Sequence, residues 1–455
     1  MSLHKEVAFE IGICEALARG GWLHAEGDAS AYDRERALFP SDVVAWVQAT
    51  QPRAWDALVK GNGSNAERVL LDRLRQQLDQ RGTLDVLRHG FEVVGLRHPI
   101  AMAQFKPALA MNPDLQARFA ANRLRVVRQV RYSLANENAL DLVLFLNGVP
   151  VATVELKSDY TQRVEDAVDQ YRFDRDPAPK GKAPERLLSF PNGALVHFAV
   201  SNSAVRMTTW LQGKDTFFLP FDKGNGTAAG NPPNPNGAPT AYLWEEVWAR
   251  DSWLEILGRY IVAERDAKKQ VKKLIFPRYH QLAATRKLVT AVLAEGPGQK
   301  YLIQHSAGSG KTNSIAWTAH FLADLHDGAN HKLFDTVLVV SDRTVLDAQL
   351  HRSRGRGRSG QGPGTPRRDH CEGQRPLRRR DHRRRQTHLR ERRHQREAVA
   401  IRDARRAGDE QLEGAVRQLP RLGAGDHGRH HGRLRRSLQH EQAGIGVRAR
   451  SAGHP

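Results

Sequence analysis

The chain of 455 residues is long enough for two or three domains, and its 40% hydrophobic content supports at least one globular core. It has only two cysteines and no apolar run of about 18 residues, which excludes a disulfide framework, a cysteine metal cluster and a membrane-spanning helix. The net charge of +20 lies mostly in residues 351–455, whereas the first 350 residues carry only +3, so charge alone does not identify a nucleic-acid partner. We expect a cytoplasmic protein that does not bind a membrane.

The patterns of residues 1–220 predict a mixed α/β domain. Residues 1–130 are typical of helix and loop, and apolar residues at helical spacing predict a helix over Asn65–Gln80. Asn147–Gly148, between two apolar runs, predicts a tight turn, and a further helix is expected over Arg163–Asp174. The predicted strands are Arg128–Leu134, Ala139–Leu146, Val149–Leu156 and Leu195–Ser201.

Residues 221–274 predict a linker with connecting helices. Its first part, residues 222–239, is a loop rich in Gly, Asn and Pro. Helices are expected over Tyr242–Val247 and Ser252–Glu264, and a basic connector over Lys268–Lys273.

Residues 275–350 predict the beginning of a parallel-sheet domain. A helix from Arg278 leads to a strand at Lys300–His305, and a glycine-rich turn and a second helix lead to a strand at Thr336–Ser341. This order of elements is typical of a βαβ unit.

Residues 351–455 differ in composition from the rest of the chain. They hold 28 arginines and 11 acidic residues, but none of the chain's 31 aromatic residues. Such a segment buries too little apolar surface to offset chain entropy, so we expect a disordered tail with at most some helix around Glu391–Val416. Two origins remain open: a natural arginine-rich nucleic-acid arm, or, as we favour, translation out of frame after Leu350, because the residue types present are largely those of GC-rich codons.

A charged constellation on two predicted strands points to metal-dependent cleavage of a phosphodiester. Asp141 and Glu155 can supply the oxygen ligands that Mg²⁺ prefers, and Lys157 can position a water or stabilise developing charge. Residues two apart on a strand share a face, so Glu155 and Lys157 point the same way while Val154 and Leu156 face the core. The alternative is an exposed strand with a solvated Glu–Lys pair.

The hairpin register decides whether the two carboxylates can meet. A regular two-residue Asn147–Gly148 turn would place Asp141 opposite Val154, with Glu155 on the other face. A three-residue or bulged connection would place Asp141 directly opposite Glu155. The metal hypothesis therefore predicts the longer or bulged connection.

A glycine-rich turn before a helix predicts a triphosphate site. Backbone N–H groups in such a turn can cradle phosphates at a helix N-terminus, where Gly308 and Gly310 allow positive φ. Lys311 would reach the β- and γ-phosphate oxygens and Thr312 would ligate Mg²⁺. The predicted ATP-binding residues of the turn are Ala307, Gly308, Ser309, Gly310, Lys311 and Thr312.

A second candidate for nucleotide recognition lies upstream, in Phe276–Pro277–Arg278–Tyr279–His280–Gln281. Gln281 could hydrogen-bond adenine, with Phe276 or Tyr279 stacking on the base. The equally weighted alternative is an ordinary helix start with a proline in its first turn.

These motifs carry a family resemblance over about residues 1–350. Asp141, Glu155 and Lys157 resemble the PD-(D/E)xK nuclease pattern, and VATVELKSDYTQRVEDAVDQY is similar to the nuclease region of type I restriction subunits. Gln170 matches the glutamine on the helix that follows that strand. The family often has a tyrosine four positions later, where Asp174 stands here, with Tyr171 nearby. An additional acid on the first helix, Glu6 or Glu10, is less favoured than a surface glutamate.

The short GxGKT form of the glycine-rich turn resembles motif I of superfamily 2 motors. The resemblance implies an α/β nuclease-like domain over residues 1–220, a linker over 221–274 and an incomplete RecA-like domain over 275–350. The disordered tail expected over 351–455 rests on composition alone. It further implies an ATP- and Mg²⁺-dependent endonuclease that acts on double-stranded DNA together with modification and specificity subunits.

The sequence after Leu350 contains no Asp-Glu-x-His motif, so we expect the motor of this chain to be inactive. Two alternatives remain: a standalone metal-dependent nuclease with an ATP-binding lobe, and a non-catalytic nucleic-acid-binding remnant.

Overall fold

A computed structural model describes residues 2–107, 111–160, 162–226, 228–306, 308–339, 398–402 and 444–448. It divides into two compact units, Met1–Ala294 with His320–Leu333, and Glu295–Ala319 with Phe334–Pro455. The α-helices are α1 Ser2–Arg19, α2 Pro40–Thr50, α3 Pro52–Asn62, α4 Ala66–Arg81, α5 Thr83–His89, α6 Pro113–Ala121, α7 Val164–Asp169, α8 Arg250–Glu255, α9 Tyr279–Glu295 and α10 Lys311–Ala323. Short π-helical turns cover Gln170–Asp174, Leu243–Val247 and Ile256–Tyr260.

A six-stranded mixed sheet forms the centre of the first unit. Its strands follow one another in space as they do in the chain, and only the β3–β4 pair is parallel. Helix α7 connects these two parallel strands, as a crossover of this kind requires. The strands are β1 Leu124–Arg131, β2 Ala139–Leu146, β3 Val149–Lys157, β4 Val196–Ser201, β5 Val205–Thr208 and β6 Leu219–Pro220.

Both faces of the central strands are covered. Every residue of β3 and β4 is buried, which matches their nearly continuous apolar sequence. On one face Tyr171 packs with Val143 and Phe145 in a large apolar cluster. On the other, Phe198 contacts Trp248 through edge-to-face rings. Because β3 has no solvent-facing side, its polar residues must be accommodated inside the protein.

The turn between β2 and β3 has the conformation that its sequence favours. Asn147 and Gly148 both have positive φ, of 50° and 80°, as a two-residue primed turn requires. A Cβ atom on Gly148 would lie 2.5 Å from the carbonyl oxygen of Phe39, so only glycine fits here. The amide of Phe39 donates to the Gly148 carbonyl at 2.8 Å and thereby ties the turn to the start of α2.

Three predictions for the first unit were wrong. Strand β1 begins at Leu124 rather than Arg128, because Leu124 and Val126 are buried and Arg125 is held by the buried Asp42. The helix expected to reach Glu264 ends at Tyr260, and the basic connector after it is half of an antiparallel hairpin. That hairpin consists of β7 Val262–Arg265 and β8 Val271–Ile275, whose mostly exposed or half-buried side chains give no apolar pattern.

The second unit differs from the parallel-sheet domain expected over residues 275–350. Strand β9 covers only Lys300–Tyr301, and residues 336–339 do not form a strand; the remainder of the predicted strand lies outside the described residues. Strand β9 pairs antiparallel with β11 Gly444–Arg448, which pairs parallel with β10 Ala398–Arg402. Strand β10 contradicts the helix expected at these positions, and most of the predicted disordered tail lies outside the described residues.

In the part of the chain that the structure describes, no helix is long and apolar enough to cross a membrane.

Candidate active site

The register of the β2–β3 hairpin brings the two predicted carboxylates to the same position. A β-bulge follows the tight turn, where the pairing shifts between Leu144 and Phe145. One step beyond the pair Leu142–Val154, Asp141 therefore stands opposite Glu155. The pairs at the two ends of the hairpin are Leu146 with Val149 and Leu142 with Val154. The bulged connection predicted from the sequence is confirmed.

Each carboxylate is held by a different partner. The Oδ2 atom of Asp141 accepts a hydrogen bond from the backbone amide of Leu156 at 2.7 Å. The Oε1 atom of Glu155 accepts one from Nε of Arg175 at 2.6 Å. The Oε2 atom of Glu155 is buried, and within the described residues it has no hydrogen-bond partner. The side chain of Glu155 is fully buried, with 0% exposure, which rules out the alternative of a solvated Glu–Lys pair.

The electrostatics of this pair favour a bound cation. Burial raises the pKa of Glu155 well above its usual value, and the nearby charge of Asp141 raises it further, whereas Arg175 opposes the shift. Two close carboxylates with an unsatisfied buried oxygen suit Mg²⁺, which often takes one or two protein carboxylates and completes its shell with water and phosphate. Among the described residues, no group of three or more His, Cys, Asp or Glu side chains is arranged to hold a metal.

Lys157 lies on the same side of β3 as Glu155 and is 9% exposed. Its Nζ atom is 3.2 Å from Oε1 of Glu6 on α1. This ion pair fixes the ammonium group at the end of the strand, two residues beyond the carboxylate of Glu155.

Helix α1 also contributes a buried acid that the sequence argument took for a surface residue. Glu10 is only 3% exposed, and it accepts a hydrogen bond from Nε of Arg128 at 2.9 Å. Burial raises its pKa, against the effect of Arg128. The side-chain amide of Gln129 lies 3.2 Å from Glu10 and 3.3 Å from Asp141, and so bridges the two acids. Gln129 has a positive φ of 51°, a strained conformation often retained at functional sites.

The helix after the strand ends in the turn that carries the predicted glutamine. Gln170 is the first residue of the π-helical turn, and its Oε1 atom is buried with no hydrogen-bond partner in the described ranges. Tyr171 is buried, and its hydroxyl lies 2.7 Å from Oγ1 of Thr153, which also contacts Nδ1 of His197 at 2.7 Å. Tyr171 therefore belongs to the packed interior. Arg175, directly after the turn, was missed because neither residue type nor spacing marked it.

The glycine-rich turn belongs to the second unit. Gly308 and Gly310 have positive φ of 74° and 79°, and α10 begins at Lys311, followed by Thr312. The amide of Ser309 donates to the carbonyl of Ser306 at 3.3 Å. The predicted loop and helix start are therefore present, whereas Ala307 lies outside the described residues.

Gln281 is engaged at the start of α9. Its Oε1 atom accepts a hydrogen bond from the backbone amide of Arg278 at 2.9 Å, an N-terminal capping interaction. Phe276 is buried among aromatic side chains such as Phe221, and the hydroxyl of Tyr279 contacts Glu246. This arrangement favours the ordinary helix start over adenine recognition.

Comparison with known proteins gives two family matches. Residues 51–216 match the family "Type I restriction enzyme R protein N terminus", and residues 280–375 match "SWI2/SNF2 ATPase". The second match continues beyond Leu350, the residue after which we expect translation to be out of frame. The end of this match therefore does not coincide with the expected change of frame. A similar curated protein is the "Putative type I restriction enzyme MjaVIIIP endonuclease subunit" of Methanocaldococcus jannaschii, 25% identical over 229 residues. That similarity covers 48% of this chain but only 20% of the length of the relative.

Proposed function

We propose that this chain, which carries the N-terminal region of a type I restriction enzyme R subunit, is a Mg²⁺-dependent DNA endonuclease with its active site on β2 and β3. The observation that carries the proposal is the bulged register that sets Asp141 opposite Glu155, with Lys157 on the same face. All three residues lie inside the segment that matches the restriction family.

Asp141 and Glu155 would hold the Mg²⁺ ion. When bound, such an ion supplies Lewis acidity toward the phosphodiester and lowers the pKa of a coordinated water. The unpartnered Oε2 atom of Glu155 supports this assignment, because a buried carboxylate oxygen without a partner is costly unless a ligand satisfies it. Asp141 keeps its orientation through the backbone amide of Leu156.

Lys157 and Gln170 would act on the DNA. In the described protein the ammonium group of Lys157 is neutralised by Glu6, an exchangeable and partly exposed partner. Contact with a scissile phosphate would replace that partner and place positive charge where negative charge develops during cleavage. The buried amide oxygen of Gln170 is suited to orient an attacking water or a DNA group, since it forms no other hydrogen bond in the described ranges.

For residues 280–375 we propose ATP binding through the turn Ala307–Thr312, with Thr312 as a ligand of the ATP-bound Mg²⁺. In a restriction system, modification and specificity subunits would select the DNA site.

Plasmid cleavage tests the nuclease proposal. The full chain should nick supercoiled DNA with Mg²⁺ but not with EDTA, and Lys157→Ala should lower the rate by about 100-fold or more. Lys60→Ala, at an exposed position on α3, is the matched control and should cleave normally. Cleavage by Lys157→Ala at the rate of the control would refute the proposed role. If the unmodified chain and both variants bind DNA equally well but none of them cleaves it, the result would favour the non-catalytic alternative.

A further inference from the structure

Arg175 forms a buried link between the two strands of the candidate site. It follows the π-helical turn Gln170–Asp174, and its side chain is about nine-tenths buried. Its Nε atom donates to Oε1 of Glu155 at 2.6 Å, and its Nη2 atom donates to the carbonyl oxygen of Ala139 at 2.8 Å. Because the guanidinium group is planar and rigid, these two bonds fix its position together.

The two bonds connect the carboxylate of one strand to the backbone of the other. Ala139 is the first residue of β2, and Asp141 lies two positions further along that strand. A single guanidinium group therefore ties Glu155 on β3 to the segment that carries Asp141. Oε1 of Glu155 accepts the hydrogen bond from Arg175, whereas the buried Oε2 atom has no hydrogen-bond partner among the described residues and is the freer of the two oxygens to receive a ligand.

We propose that Arg175 is a positioning residue that holds Glu155 in one orientation, with Oε2 available to the divalent cation shared with Asp141. The proposal rests on the proposed nuclease function and adds a residue that acts through Glu155. A glutamate side chain has several rotatable bonds. Without the hydrogen bond from Arg175, Glu155 would therefore lose conformational entropy when it binds the metal. Hydrogen bonds to metal-ligating carboxylates commonly affect metal affinity by about 10- to 100-fold.

A purely structural role is less well supported by the geometry. Buried ion pairs contribute little net stability, because the desolvation of both groups offsets their attraction. Here the pair adjoins a second carboxylate, because the register of the hairpin sets Asp141 opposite Glu155, and the same guanidinium group also holds the backbone of β2 at Ala139. An ion pair kept at such a position is better explained by the cation that the carboxylates would receive.

Binding of Mn²⁺ to the full chain tests the proposal without requiring cleavage. Electron paramagnetic resonance measures the free Mn²⁺ that remains at each protein concentration, in the absence of nucleotide and DNA. Arg175→Met should weaken binding by about 10- to 100-fold, and Arg175→Lys should restore only part of the affinity, because an ammonium group lacks the planar fork. Arg172→Met is the matched control: Arg172 lies in the π-helical turn just before Arg175 but donates to the carbonyl of Thr216.

The outcomes separate this proposal from the function on which it rests. Wild-type or tighter Mn²⁺ binding by folded Arg175→Met overturns the positioning role. If circular dichroism shows that Arg175→Met does not fold, Arg175→Lys decides, and an unchanged affinity overturns the role. Glu155→Gln should abolish binding at this site. If it does so while Arg175→Met binds normally, only the positioning role fails; if Glu155→Gln also binds normally, the proposed metal site itself is refuted.

Discussion

Replacement of Gly148 by alanine tests how much the close packing of the hairpin turn against α2 contributes to stability. The residue has a φ of 80°, which costs a residue with a Cβ atom about 1–2 kcal/mol. The new methyl group would also lie 2.5 Å from the Phe39 carbonyl oxygen and 2.5 Å from Cγ2 of Val43. Overlap of this kind in a packed interior costs about another 1–3 kcal/mol. We therefore expect Gly148→Ala to lower the free energy of unfolding by about 2–5 kcal/mol.

Gly213 provides the matched control for this prediction. Its φ of 58° is also left-handed, but the nearest atom to an added Cβ, the carbonyl oxygen of Arg172, would be 3.9 Å away. Gly213→Ala should therefore cost only the conformational part, about 1–2 kcal/mol. Urea denaturation followed by tryptophan fluorescence gives both values. Equal losses in the two variants would show that the contact between the turn and α2 has no energetic weight.

Three further predictions concern other parts of the chain. Burial lowers the pKa of His197 to about 3, so between about pH 6.5 and pH 3 only the unfolded state takes up a proton on this residue. The free energy of unfolding should therefore fall as the pH drops through this range, by about 2 kcal/mol at pH 5. His197→Gln should lack this pH-dependent loss of stability. A pH-independent stability difference between the two chains, measured by urea denaturation, would contradict it. Asp42→Ala should destabilise the fold by about 1–3 kcal/mol, because Arg125 loses its fully buried partner but keeps its ion pair with Asp28. The exposed-site variant Asp56→Ala should have little effect, and similar thermal denaturation of both variants would contradict this prediction. Lys311→Ala should weaken binding of a fluorescent ATP analogue, and undiminished binding would refute the triphosphate site.

The central strands were predictable because their sequences leave few alternatives. Ala139–Leu146 matches β2 at both ends, since a strand covered on both faces needs a nearly continuous apolar run. The turn was equally readable, because Asn147–Gly148 favours positive φ at both positions. The sequence did not predict the bulge directly; we inferred it because the metal site requires it. Its position depends on how Pro150 and Val151 fit against β2.

The residues that hold the proposed metal ligands in place could not be predicted from the sequence. Glu10 and Arg128 are 118 positions apart, and nothing local to α1 shows that one of its acids is buried against β1. Arg175 similarly depends on the π-helical turn, which places it beneath β3 although the sequence pattern predicts a plain helix. Burial also overturned the solvated interpretation of Glu155, because only the tertiary packing covers the second face of the sheet.

The most direct test of the account is a double-mutant cycle on the two proposed metal ligands, with Mg²⁺-dependent nicking of supercoiled DNA as the measurement. If Asp141 and Glu155 share one cation, Asp141→Asn and Glu155→Gln should each lower the rate by about 100-fold or more, and the double variant should be no slower than the worse single variant. Losses that multiply in the double variant would show that the two carboxylates act independently. Normal cleavage by either single variant would contradict the metal site.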